Sequence, residues 1–432
     1  MKKVVLFLYL FSITLLSRAE LMIEITQGID NPTPVAVSPF SWSGNQPLPE
    51  DISAIVETDL RRCGLFDLLS KDSMLSYPDR PQDVLYRDWR ALGRDYLVIG
   101  RIYPVGNDIE VAYYLFDVVR QKAVISSKMR SSREGLRDIA HLISDNVFQS
   151  ITNIPGAFST KIMYVSSKVL GKGKYNYQLI VADSDGERSR QILNSAEPIL
   201  SPAWSPDGKR IAYASYEGGR PAIYLQTLAT GEREKLPSFR GINSSPAWSP
   251  DGKQMALVLS KDGSPDIYVL DLVTKSLRKV AENDIAIDTE PQWMPDGKSI
   301  VFTSNRGGKP QVYEVDAETG KNVRRLTFEG DYNARPRPIM DGSGLIVVHR
   351  KNGLFHIARV DTRNNRVEAL TGTALDESPS ISANGTMVMY ATKKGGQGIL
   401  AAVSIDGRFK FNLPAAGRDI REPAWSPFLT NQ

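Results

Sequence analysis

Apolar residues follow two different rhythms along this chain, and the change of rhythm divides it. Between Ile52 and Ser150 several stretches carry them at helical spacing. From Lys161 to the end they alternate in runs of about six, separated by Asp, Gly, Pro and Ser. One unit of the second half illustrates the pattern. Pro246 to Pro250 reads as a short strand, and Asp251-Gly252-Lys253 as a tight turn. Gln254 to Ser260 is a second strand (Met255, Leu257, Leu259), and Asp262-Gly263-Ser264-Pro265 turns again. Asp266 to Leu272 is a third strand, and Leu277 to Val280 a fourth.

The unit recurs. Pro-Ala-Trp-Ser-Pro-Asp-Gly stands at Pro202 to Gly208 and again at Pro246 to Gly252, with Pro-Gln-Trp-Met-Pro-Asp-Gly at Pro291 to Gly297. Degraded copies begin at Pro336 and Pro379, and a truncated one at Pro423. The leading prolines are therefore 44, 45, 45, 43 and 44 residues apart. Four antiparallel strands repeated at that period predict the blades of a β-propeller.

The two ends of the array fix the count. Lys161 to Ser166 aligns with Arg210 to Ser215, so the first blade begins at its second strand. Pro423 to Pro427 is a first strand lacking the rest of a blade. The fragments complete one another, which predicts six blades closed by the C-terminal strand. Closure removes open sheet edges against a loop-entropy cost of about 5 kcal/mol for a ring of this span. Trp204, Trp248, Trp293 and Trp425 are expected in the core between blades. Asp207, Asp251 and Asp296 are expected to be turn formers.

The first half predicts a small mixed α/β domain over 32–153. Pro34 to Phe40 is a strand. Ile52, Ile55, Val56 and Leu60 lie at helical spacing, with Gly64 just past the helix end. Val84 to Leu92 is a second helix. Tyr96 to Ile102, Ile109 to Val118 and Val124 to Met129 form a meander. Ser132 to Ser150 is an amphipathic helix, and Ile154-Pro155-Gly156 marks the boundary to the propeller, 154–432.

Ahead of that domain, residues 1–19 have the form of a cleavable export signal. Lys2 and Lys3 precede an apolar run, Val4 to Leu16, and Ser17-Arg18-Ala19 supplies a cleavage site. The run is shorter than the ~20 residues a membrane span needs. Glu20, Leu21, Met22, Ile23, Glu24 and Ile25 then alternate with period 2 before Gly28, Pro32 and Pro34. This extended segment suits either docking on its own domain or strand addition to a partner.

Without Lys2, Lys3 and Arg18 the formal charge falls from +4 to +1, which argues against nucleic acid as a partner. Cys63 is the sole cysteine, so no intrachain disulfide forms, and it reads as a buried thiol.

These features together resemble the TolB family of the bacterial Tol-Pal envelope system. The resemblance rests on the domain order, the Trp-Ser-Pro-Asp-Gly repeats, Asp376-Glu377-Ser378-Pro379, Asn384-Gly385-Thr386-Met387, and the ending Ile405-Asp406-Gly407-Arg408-Phe409 with Pro423-Ala424-Trp425-Ser426-Pro427. It implies a non-catalytic periplasmic binding protein that links inner-membrane TolA to the outer-membrane lipoprotein Pal. It further implies a part in outer-membrane integrity and cell division, with colicin segments and other outer-membrane proteins as further partners. Glu20 to Asn31 then corresponds to the TolA-binding segment. Asn243, Ser245, Thr289 and Glu290 correspond to Pal contacts, with Ile242 where the family has His.

Read from the residues themselves, the expected mouth is the ring just before each repeat proline. It includes Leu200-Ser201, Ser245, Glu290, Arg335, Glu377, Arg421 and Glu422, with Asp288 and Asp376 beside it. Such carboxylates can also hold Ca²⁺, though no cofactor is otherwise expected. Enzyme motifs are missing. There is no Gly-x-Ser-x-Gly, and His141, His349 and His356 lack zinc spacing. The alternative is a propeller hydrolase or lyase acting on glycans through paired mouth carboxylates.

Overall fold

The computed structural model describes residues 22–25, 31–281, 285–413 and 418–429. The expected export signal 1–19, Glu20, Leu21 and 26–30 lie outside the described residues.

The α/β domain is one sheet with helices on both faces. Thr33–Val37 pairs in parallel with Phe66–Leu68 on one side and with Tyr96–Val105 on the other. Asp108–Asp117 and Lys122–Ser131 complete the meander. Helix α1 (Ile52–Arg62) is capped by Asp51, whose carboxylate accepts from the Ala54 N–H at 3.1 Å. With α3 (Leu136–Thr152), whose Phe148 joins the same core, it covers one face over Val98, Val111 and Tyr113. The short α2 (Tyr86–Ala91) covers the other face through Trp89. Cys63 is buried, and burial pushes its thiol up to about 12, so it is an inert packing residue.

The propeller has six blades. In blades 2 to 5 four consecutive strands form each sheet, beginning at Ile199–Trp204, Asn243–Trp248, Asp288–Trp293 and Asn333–Pro338. Blade 6 begins at Glu377–Ile381 and ends at Phe409–Asn412. Blade 1 takes its inner strand from the other end of the chain: Asp419–Trp425 pairs antiparallel with Lys161–Gly171. Ring closure is therefore as the repeat fragments predict. The Trp425 indole N–H donates to Thr160 Oγ1 at 2.8 Å, and the Lys161 N–H donates to Ser426 Oγ at 2.9 Å.

The indoles follow the expectation in part. Trp248 and Trp293 are buried, while Trp204 and Trp425 are half-buried; all four border the central channel. Trp204 and Trp293 donate across to carbonyls of the preceding blade, Ala424 and Ala247. The Asp-Gly turns behave as turn formers. Asp207, Asp251 and Asp296 accept from the N–H of the residue two further on, in each case a lysine.

Met22–Ile25 docks on its own chain. It pairs antiparallel with Phe409–Asn412 as a fifth strand on the outer edge of blade 6, with Met22 opposite Asn412 and Ile25 opposite Phe409.

The α/β domain sits on the Asp-Gly face, against blades 1 and 6. Its footing is an ion cluster. His141 Nδ1 lies 2.7 Å from Asp59, and Nε2 lies 3.7 Å from Asp183 of the propeller. Lys161, Arg188 and Arg137 surround Asp183 at 2.6, 2.7 and 3.1 Å, and Arg137 also pairs with Asp185. Burial alone would keep His141 neutral, but Asp59 and Asp183 outweigh it and raise it to about 9. Burial likewise opposes charge on Asp183, yet His141, Arg188 and Lys161 hold it far below the carboxylate range. His141, Asp183 and Asp185 are the only cluster of metal-ligand type among the described residues. With three cations on its carboxylates it is a salt-bridge network.

Candidate functional site: the propeller channel and its mouth

In every blade the inner strand contains one bulge, and it falls at the repeat proline. Pairing slips between Leu200 and Ala203, Ser244 and Ala247, Thr289 and Gln292, Ala334 and Arg337, Glu377 and Ser380, and Arg421 and Ala424. Proline lacks the N–H that regular pairing would use. The residue just before it takes a left-handed conformation each time: Ser201, Ser245, Glu290, Arg335, Ser378 and Glu422 have φ between 50° and 56°. None is glycine. Each therefore carries a conformational cost of about 1 kcal/mol or more, and each lines the channel.

The pre-proline residues are thus part of the inner strand itself. Neighbouring positions divide by role. Ser245, Glu290, Arg335 and Glu422 face the channel, as expected. Thr289 and Glu377 are half-buried and paired within their sheets, opposite Thr303 and Ala391, and do not line the channel cavity.

Asn243 is buried. Its side chain accepts from the Phe239 N–H and donates to the Phe239 and Gly241 carbonyls at 2.9, 2.7 and 3.1 Å. Those bonds use its amide to shape the loop, so it offers a partner no free group. Asp288 is likewise buried, 2.6 Å from Arg306, and Asp376 accepts from Thr371 and Thr373. Asn333 donates to Gln311 Oε1 and the Glu329 carbonyl. The position three before the proline is therefore a buried Asn or Asp in blades 3 to 6, pinning the preceding loop. The sequence places Asp288 and Asp376 beside the mouth ring as candidate carboxylates. Burial converts them into internal braces.

At the waist of the channel Arg335 joins four blades. Its guanidinium lies 2.9 Å from Glu290 of blade 4 and 3.3 Å from Glu422 of blade 1, and it donates to Ser378 of blade 6. Glu290 also accepts from the Arg335 N–H at 3.0 Å and from Thr303 Oγ1 at 2.9 Å. The Glu422 charge, then Glu290, holds Arg335 fully protonated against burial. Both channel carboxylates of the ring are thus satisfied by a fixed cation. A Ca²⁺ ion would have to displace Arg335 to reach them, so these residues do not fit a resident calcium. The same engagement leaves neither glutamate free to act as a general acid beside the other.

Outside this waist, on the face away from the α/β domain, the loops entering blades 3 to 6 carry exposed apolar side chains. Phe239 and Ile242 precede blade 3, Ile285 and Ile287 blade 4, Phe328 blade 5, and Leu375 blade 6. Ile285 is 92% exposed. A ring of apolar side chains around a polar centre marks an interaction surface. The sequence does not reveal it, because these residues lie in irregular loops, where no periodicity distinguishes an exposed Ile from a core one.

The comparisons with known proteins agree with this architecture. The model of the TolB amino-terminal domain matches residues 21–124, and that of the TolB beta propeller domain matches 148–429. The chain belongs to the TolB family. It is 51% identical over 419 residues to the Tol-Pal system protein TolB of Pseudomonas syringae pv. syringae, covering 97% of both chains. It is 51% identical over 407 residues to that of Pseudomonas putida, covering 94% of both. The crystal structure of TolB from Acinetobacter baumannii superposes with a TM-score of 0.86 at 42% identity, covering 95% of this chain and 100% of that one. The chain is accordingly a component of a Tol-Pal system.

Proposed function

We propose that this chain is a periplasmic, non-catalytic adaptor that receives Pal at the apolar rim of the propeller and offers Met22–Ile25 to TolA. The observation carrying the first half is the rim itself: Phe239, Ile242, Ile287 and Leu375 are exposed together around the Arg335 waist. Aromatic and branched apolar anchors around a charged centre suit a folded protein partner. The observation carrying the second half is the seat of the N-terminal strand. Met22–Ile25 is held at a sheet edge by pairing along one side, and a strand so held can exchange to another sheet edge. Periplasmic export follows from the signal-like residues 1–19.

Titration calorimetry of the chain lacking residues 1–19 against the soluble domains of Pal and TolA tests the reading. Both should bind. Deletion of residues 20–31 should abolish TolA binding and leave Pal binding intact. Unchanged TolA affinity after that deletion would sink the second half, and absence of Pal binding the first.

A further inference from the structure

We propose that the propeller channel is a binding site for a small organic carboxylate, with Arg337 as the residue that holds the anion. The channel encloses a cavity of about 460 Å³ between the Arg335 waist and the Asp-Gly face, within the range of small-ligand sites. The cavity exists because the position after the repeat proline is small in most blades. Ala203, Ala247 and Ala424 occupy it in blades 2, 3 and 1, and Ser380 in blade 6. Blades 4 and 5 have the larger Gln292 and Arg337 there, and both line the same cavity.

That guanidinium has no carboxylate partner among the described residues. Its one hydrogen bond goes to the carbonyl of its own neighbour, Pro336, at 3.0 Å. The charged side chains sharing the cavity are Glu290, Glu422 and Arg335, and Arg335 engages both glutamates. Burial pushes Arg337 down to about 10, with the nearby Arg335 charge adding to the effect. The side chain is half-buried against the cavity, so it has given up part of its hydration without gaining a fixed counter-charge. The missing counter-charge is an oxyanion.

The walls narrow its class. A planar guanidinium holds a carboxylate through two parallel N–H···O bonds. The same cavity is lined by the indoles of Trp204, Trp248, Trp293 and Trp425 and by Ser380. They suit a ring-bearing or apolar body carrying one carboxylate, more than a compact, strongly hydrated phosphate. Access runs from the Asp-Gly face past Pro206, Pro250 and Met340, since the Arg335 clamp closes the other end. The site is thus separate from the apolar rim, and its test does not depend on Pal or TolA.

The chain without residues 1–19 is titrated with benzoate, acetate and inorganic phosphate, followed by calorimetry, tryptophan fluorescence and thermal unfolding. Benzoate should bind saturably with one-to-one stoichiometry, perturb the indole emission and raise Tm. Acetate and phosphate should each bind at least tenfold more weakly. Arg337→Ala recreates the residue of three other blades, so the fold should persist, with benzoate affinity down at least tenfold and the unliganded Tm unchanged or higher. Arg337→Lys keeps the charge without the planar fork and should bind weakly. It serves as the comparison should the alanine variant not fold. Failure of benzoate to bind saturably at millimolar concentration overturns the proposal. So does phosphate binding as well as benzoate, or retention of benzoate affinity in both variants.

Discussion

Arg335 Nη1 lies 3.3 Å from Glu422 Oε1, joining blade 5 to blade 1 across the channel although blade 6 stands between them in the ring. The same guanidinium reaches Glu290 in blade 4. Arg335→Met should leave two enclosed carboxylates without their cation. The expected loss is about 3 kcal/mol of stability, read as a lower midpoint in thermal or urea unfolding. Arg335→Lys should recover part of it. An unchanged midpoint in Arg335→Met would show that the channel is wet enough to screen the pair.

Ring closure gives a second prediction. Trp425→Ala removes an indole packed in the closing strand together with its bond to Thr160. The cost should be about 3–5 kcal/mol. Because every blade leans on its neighbours, far-ultraviolet and tryptophan signals from the propeller should fall together. Separate loss of blade 1 with the rest intact would contradict closure as a whole-disc constraint.

The interdomain cluster predicts a pH window. His141 is raised from 6.5 to about 9. Its contribution is complete below about pH 6.5 and is lost as pH rises through about 9. Asp59 and Asp183 are lowered from 3.8, so their contribution is present above that value and fades only at more acid pH. Stability of the contact between the domains should therefore be greatest from roughly pH 4 to 6.5 and fall toward pH 9. His141→Gln should flatten the alkaline limb. A wild-type profile flat from pH 6 to 10 would refute the assignment.

Gly64 ends α1 with φ of 74°, and a Cβ placed there would meet the Phe409 ring at 2.5 Å. Phe409 belongs to the strand on which Met22–Ile25 docks. Gly64→Val should therefore both strain the helix end and push Phe409. Hydrogen exchange should show faster exchange at Met22–Ile25 and Phe409–Asn412. Protection equal to wild type at those amides would mean the strand's seat is independent of α1.

Much of this fold is visible in the sequence because repetition amplifies weak signals. One Pro-Ala-Trp-Ser-Pro-Asp-Gly turn is ambiguous, but five further copies at one spacing leave few architectures. The truncated copy at Pro423 fixes the closure. The site was less legible. Ser245, Glu290, Arg335 and Glu422 stand out because they sit at a fixed phase of the repeat where residue type varies. Asn243 and Asp288 occupy the same stretch, yet they are buried, because polarity alone does not distinguish a loop pin from a solvent-facing group. The left-handed bulge was hidden for a related reason: serine, glutamate and arginine there do not announce a positive φ as glycine would. Arg337 lies in a degraded copy, where nothing in the sequence singles it out. Its isolation emerges only once Arg335 is seen to take both glutamates.

The central claim is that the exposed loops around the channel waist form the Pal-binding surface. The direct measurement is the affinity of the chain without residues 1–19 for soluble Pal, compared between wild type and Ile287→Asp. Ile287 is half exposed on the rim. The account predicts at least a tenfold loss of affinity with Tm unchanged. Equal affinity in the two proteins, at equal Tm, would contradict it.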